Sequence, residues 1–131
     1  LSLHDALPIL NNKEGGISAA IMSIVINLYY EGDQDAIRQF ADEIEKSGIS
    51  DRIRSMKGNL RHEYFYSLNR SDMVLLMSEW TDEESIKGLR DSDDLKALNA
   101  LIRKYRIRST SQMFLNEEDG LIQHTYNLDD L

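Results

Sequence analysis

Ser23-Ile24-Val25-Ile26-Asn27-Leu28-Tyr29-Tyr30 is dense in β-branched and aromatic side chains and stops at Glu31-Gly32, the pattern of a largely buried strand. Downstream, Asp33 can cap a helix in which Ala36, Ile37, Phe40, Ala41 and Ile44 recur at helical spacing, with Ser47-Gly48 as its stop. A short helical turn over 50–56 puts Ile53 and Met56 beside Ile49, before Lys57-Gly58-Asn59 breaks it. Residues 60–67 and 73–80 predict two strands, and Leu68-Asn69-Arg70-Ser71-Asp72 is a turn-rich connector of hairpin length, so the two should pair antiparallel.

Thr81-Asp82-Glu83-Glu84 reads as a capping box, with the Thr81 hydroxyl and the Glu84 carboxylate satisfying each other's orphaned backbone donors. Ser92-Asp93-Asp94 caps a further helix, whose stripe of Leu95, Leu98, Leu101, Ile102 and Tyr105 must pack on something and whose Arg103-Lys104 suit a helix end. Residues 106–115 predict the last strand. Beyond it, residues 116–131 hold five acidic side chains and no Lys or Arg, which predicts a loose tail. Strand, helix, strand, strand, helix, strand is the ferredoxin-like α+β order: an antiparallel sheet with helices on one face and the third strand between the first and second.

Upstream, Leu1-Ser2-Leu3-His4-Asp5-Ala6-Leu7-Pro8-Ile9 resembles the translation of a sequencing-library adapter, and residues 10–21 resemble translated upstream sequence. The expectation is that residues 1–21 are not native, that Met22 is the initiator, and that the domain spans residues 22–115, followed by the acidic tail over 116–131. Setting residues 1–21 aside removes Asp5, Lys13 and Glu14 and changes the net charge from −8 to −7. It also removes His4, leaving His62 and His124 for imidazole chemistry.

At 131 residues, 41% hydrophobic and 29% charged, the chain has the makeup of one globular domain. Its acidity argues against nucleic acid, because that affinity rests on Lys and Arg releasing condensed counterions, and an anionic membrane surface is disfavoured in the same way. The longest mostly apolar stretch, residues 17–30, is interrupted by Ser18, Ser23 and Asn27 and is too short to span a bilayer. With no cysteine there is no disulfide framework or thiolate nucleophile, which suits a reducing compartment, so a cytoplasmic protein is expected. The two histidines are far apart in sequence and no cluster has zinc-like spacing, so no metal is expected. A phosphate-cradling glycine loop, a dinucleotide fingerprint and a flavin motif are all missing.

Residues 22–30, then Gly58-Asn59-Leu60-Arg61-His62-Glu63-Tyr64, then Glu79-Trp80 closing a strand, with Ser92 downstream, together resemble the antibiotic-biosynthesis-monooxygenase domain. The likeness runs over about residues 22–114 and rests on the order and spacing of short elements. It implies a homodimer, a dimeric α+β barrel in which two four-stranded sheets cover each other, since a lone chain would leave one sheet face wet. It implies an oxygenase without metal, flavin or other cofactor, acting on a quinol or similar electron-rich aromatic with dioxygen as co-substrate. The rival implication is a non-catalytic, small-ligand-binding or regulatory barrel. Two departures stand out: Leu89 occupies the position where many members carry His, and His62 a position that is often Tyr. Haem degradation, an activity of related barrels, would want an axial His near Leu89, and none stands there.

His62 is the one group of near-neutral pKa within the folded pattern, a candidate general base or a structural histidine. Tyr64 shares its strand face by period-two alternation, while Arg61 and Glu63 take the other, toward solvent or a partner subunit. Trp80 suits either a pocket wall or the core. Asn27, an amide inside an apolar strand, costs free energy unless it finds a hydrogen-bond partner or a ligand. Under the resemblance His62 is the base, Asn27 donates to the developing oxyanion, Trp80 and Tyr64 clamp the aromatic ring, and Leu89 lies against the substrate. The acidic runs 82–84 and 91–94 sit at helix starts and read as caps.

Overall fold

The computed structural model describes residues 21–117 and, for the backbone alone, residues 123–127. Residues 1–20, which hold nearly all of the segment expected to be non-native, lie outside the described residues, as do residues 118–122 and 128–131 of the acidic tail. The elements in chain order are β1 (Ile21–Glu31), α1 (Gln34–Ser47), α2 (Ile49–Arg54), β2 (Asn59–Tyr66) and β3 (Met73–Trp80). They continue with α3 (Glu83–Arg90), α4 (Asp93–Lys104), β4 (Arg108–Glu117) and β5 (Gln123–Asn127). All neighbouring strands are antiparallel, in the order β2-β3-β1-β4-β5. The first four strands make the ferredoxin-like arrangement, with β3 between β1 and β2 as the sequence order predicts. The fifth is an addition: part of the tail expected to be loose pairs with residues 112–116 of β4.

Register fixes which side chains meet the helices. Ile24, Ile26, Leu28 and Tyr30 lie opposite Trp80, Ser78, Leu76 and Val74 of β3, and Ile24 and Ile26 lie opposite Leu115 and Met113 of β4. This alternate set forms two clusters under the helices. One gathers Trp80, Ile24, Ile26, Ile53 and Ile86; the other gathers Tyr30, Phe40, Ile37, Ile44 and Leu98, and Leu28 and Leu101 touch both. The Tyr30 and Phe40 rings meet edge to face at 5.3 Å. The other face carries Val25, Asn27 and Tyr29 of β1, Leu75 and Met77 of β3, and Phe114 of β4, all only half-buried.

The helix boundaries follow from local chemistry. Gly48, at φ 78°, ends α1 and begins α2 in the left-handed region that favours glycine. Ser92 Oγ accepts from the Leu95 amide at 3.2 Å, the cap expected from its sequence. The expectation for α3 needs correction, since the capping residue is Asp82, whose Oδ1 accepts from the Ser85 amide at 2.8 Å. The Thr81 hydroxyl instead donates to Asp82 Oδ2 at 3.2 Å. On the edge strand β2, the pairing with β3 slips between Asn59 and Arg61, leaving the Leu60 side chain exposed. Among the described residues no helix is long and apolar enough to cross a membrane.

Candidate functional site

β2 and β3 set several polar side chains on the helix face. His62 pairs with Ser78 and Tyr64 with Leu76, so these residues and Trp80 all point beneath the helices. An indole N–H can only donate, and Trp80 Nε1 donates to Ser78 Oγ at 2.8 Å. The same oxygen lies 3.0 Å from His62 Nδ1. The His62 ring meets the Tyr64 ring edge to face at 5.7 Å. Trp80 is 0% exposed and His62 2%, so this line of polar atoms is shielded from bulk water.

Two atoms at the end of the line have no hydrogen-bond partner in the described protein: His62 Nε2 and the Tyr64 hydroxyl, both buried. Leaving such a group unmade costs about 1–3 kcal/mol, so a pair of them on adjacent same-face positions is a notable local expense. Burial, and after it the nearby Arg54 charge, lowers the His62 pKa to about 4. Arg54 is fixed there by Nε donating to the His62 main-chain oxygen at 2.8 Å. Burial also raises the Tyr64 pKa, with Arg54 acting against the rise and Glu45 adding to it.

His62 is therefore a neutral imidazole at neutral pH, and its neighbour sets what it can do. When the Ser78 hydroxyl donates to Nδ1, Nε2 carries the proton and is a donor. When Nδ1–H donates to Ser78, Nε2 presents a lone pair and can take a proton.

Tyr64 also borders a cleft of about 930 Å³ between α1 and the β2–β3 hairpin. Ile44 and Val74 give the cleft an apolar wall, and Arg38, Glu45 and Arg70 are among its charged groups. A second cleft, of about 350 Å³, is bordered by Met56, Gly88 and Leu89, where Leu89 also packs on the Trp80 cluster.

The structure thus brings His62, Tyr64 and Trp80 together and sets the other two sequence candidates apart. Asn27 pairs with Met77 and Gln112 on the opposite face of the sheet, where its Oδ1 is buried without a partner in the described protein. Leu89 belongs to the smaller cleft. Ser78 and Arg54 escape the sequence reading. A lone serine in an apolar strand says little until register sets it against His62, and an arginine on a short helix resembles any solvated cation. Among the described residues no group of three or more His, Asp or Glu side chains could hold a metal ion.

The family model for antibiotic biosynthesis monooxygenase matches residues 22–101. The chain belongs to the antibiotic biosynthesis monooxygenase family. Solved structures agree on the fold of this family member. A conserved protein from Bacteroides thetaiotaomicron superposes with a TM-score of 0.66 at 12% identity, covering 73% of this chain and 99% of that one. SnoaB from Streptomyces nogalater, a cofactor-independent oxygenase, gives 0.55 at 12% identity, with 72% and 92% covered. A conserved protein from Methanosarcina mazei Go1 gives 0.60 at 14% identity, with 70% and 91% covered. No curated protein sequence matches this monooxygenase-family chain.

Proposed function

We propose that this family member is a cofactor-independent monooxygenase that oxidises a quinol or similar electron-rich aromatic at the helix face of its sheet. The observation that carries the reading is the line Trp80–Ser78–His62, which ends in two buried polar atoms without a partner among the described residues, at His62 Nε2 and the Tyr64 hydroxyl. Hydroxyl groups of a bound substrate would satisfy both. Family membership and the SnoaB fold likeness support the same reaction class.

In this reading a substrate hydroxyl gives its proton to His62 Nε2, in the tautomer whose Nδ1–H donates to Ser78. The substrate anion then passes an electron to dioxygen, and the radical pair joins as a peroxide. The peroxide takes the proton back from His62, and loss of water from the hydroperoxide converts a ring C–H ortho or para to that hydroxyl into a carbonyl. The substrate supplies all the electrons: one oxygen atom stays in the product and the other leaves as water. The protein contributes orientation and control of charge in a dry site. Trp80 holds Ser78 and the ring of Tyr64 flanks the substrate. Asn27, facing away from this site, has no part in it within the same chain.

We also infer a homodimer formed through the open face, where Val25, Tyr29, Leu75, Met77 and Phe114 lie only half-covered in one chain. Members of the family are commonly dimeric.

Oxygen-electrode measurements with a panel of quinols and anthrone-type aromatics test the reaction. Uptake that depends on protein is expected, falling at least about tenfold in His62→Ala. No stimulation of uptake by any member of the panel would sink the reading, and unchanged turnover in His62→Ala would remove His62 as the base.

A further inference from the structure

Two of the four charged groups that line the cleft between α1 and the hairpin are already engaged. Arg70 reaches Asp72 through Nε at 3.0 Å and Nη2 at 3.2 Å, and Glu31 through Nη1 at 3.3 Å. Asp42 accepts from Lys46 at 2.7 Å. Arg38 and Glu45 border the same cleft and make no ion pair among the described residues. Beside them lie the apolar wall of Ile44 and Val74 and the side chain of Tyr64, whose buried hydroxyl has no partner among the described residues.

An uncommitted guanidinium is informative in a chain of net charge −8, because the global field repels anions and only a local cation can hold one. Guanidinium matches a carboxylate through two parallel hydrogen bonds. A carboxylate such as Glu45 accepts from a phenolic hydroxyl, and a flat ring suits a wall of aliphatic and aromatic surface.

We propose that this cleft binds a hydroxylated aromatic carboxylate. Arg38 holds its carboxylate, Glu45 accepts from one ring hydroxyl, Tyr64 bonds the second ring oxygen, whose proton goes to His62 in the reaction proposed above, and Ile44 with Val74 packs against the ring. This deepens the function proposed above by naming its substrate class, and it rests on that reading for turnover but not for binding.

Titration calorimetry on the full chain tests it with three probes: gentisate, a hydroquinone bearing one carboxylate; plain hydroquinone; and benzoate. Gentisate should bind tightest. Arg38→Gln should weaken gentisate by about tenfold or more and leave hydroquinone unchanged. Glu45→Gln should weaken gentisate and hydroquinone but not benzoate. Both positions are exposed on α1, so thermal unfolding of the variants should match the parent chain.

Gentisate affinity that is undetectable, or equal in Arg38→Gln and the parent, overturns the proposal. Arg38-dependent gentisate binding without oxygen consumption would leave this site standing and remove the oxidation. Gentisate-driven oxygen uptake indifferent to Arg38→Gln would do the reverse.

Discussion

His62 ties stability to pH at a single residue. Its pKa of about 4 in the fold lies below the ordinary imidazole value, so the unfolded chain binds the proton more readily than the folded one. The stabilising difference is complete above the unfolded value, is lost as pH falls toward the folded value, and stays lost below it. From about pH 7.5 to about pH 5 this one group should remove about 2 kcal/mol. Urea unfolding at the two pH values measures it, and His62→Gln should flatten the slope by that amount. Equal slopes would mean that His62 is protonated without penalty. A second residue-scale expectation concerns Ser78, which joins Trp80 to His62. Ser78→Ala should strand two buried nitrogens and cost about 1–3 kcal/mol by urea unfolding. His62 and Trp80 were legible in the sequence as candidates. Their shared hydroxyl was not, because which two residues of separate strands face each other is decided by a register that no short window contains.

At the scale of elements, Gly58 is the tight joint between α2 and β2. Its φ is 85°, and a Cβ there would stand 1.9 Å from Ser85 Oγ and 2.4 Å from Ser85 Cβ in α3. Gly58→Ala should therefore cost on the order of 3 kcal/mol, from backbone strain together with a forced shift of α3. Thermal unfolding measures it, and a loss under about 1 kcal/mol would show that α3 moves freely. At the start of α3, Asp82→Ala should cost about 1 kcal/mol and Thr81→Ala only a fraction of that, since Asp82 receives the Ser85 amide. Strands and amphipathic helices were legible because their periodicities of two and of three to four residues are local properties of the chain. Thr81 and Asp82 are both good capping types one residue apart, so only the path of the backbone could choose between them. The pairing of residues 123–127 with β4 was hidden for a different reason, because acidic composition speaks to solubility and is silent on an available sheet edge.

For the whole molecule, the expectation is a particle of twice 15.1 kDa, held together through the open face of the sheet. Multi-angle light scattering on a sizing column measures the mass. Met77→Glu, which sets a charge at the middle of that face opposite Asn27, should shift the population to single chains. A Met77→Glu protein that keeps the parent mass would place the contact elsewhere. Asn27 Oδ1, buried without a partner among the described residues, lies on this same face of the sheet. Sequence order alone indicated that the helices cover one face of the sheet, but not which side chains that face holds, nor that Asn27 and His62 would end on opposite sides. The offset at Leu60 on the outer strand has a further consequence. Arg61 and Glu63 follow it, with Arg61 lying over the Phe65 ring at 5.6 Å, so the free rim is kinked and bears charge. A foreign segment seeking to extend the ladder meets a mismatched row of amides and two ionic groups, which protects the protein from ribbon-like polymerisation.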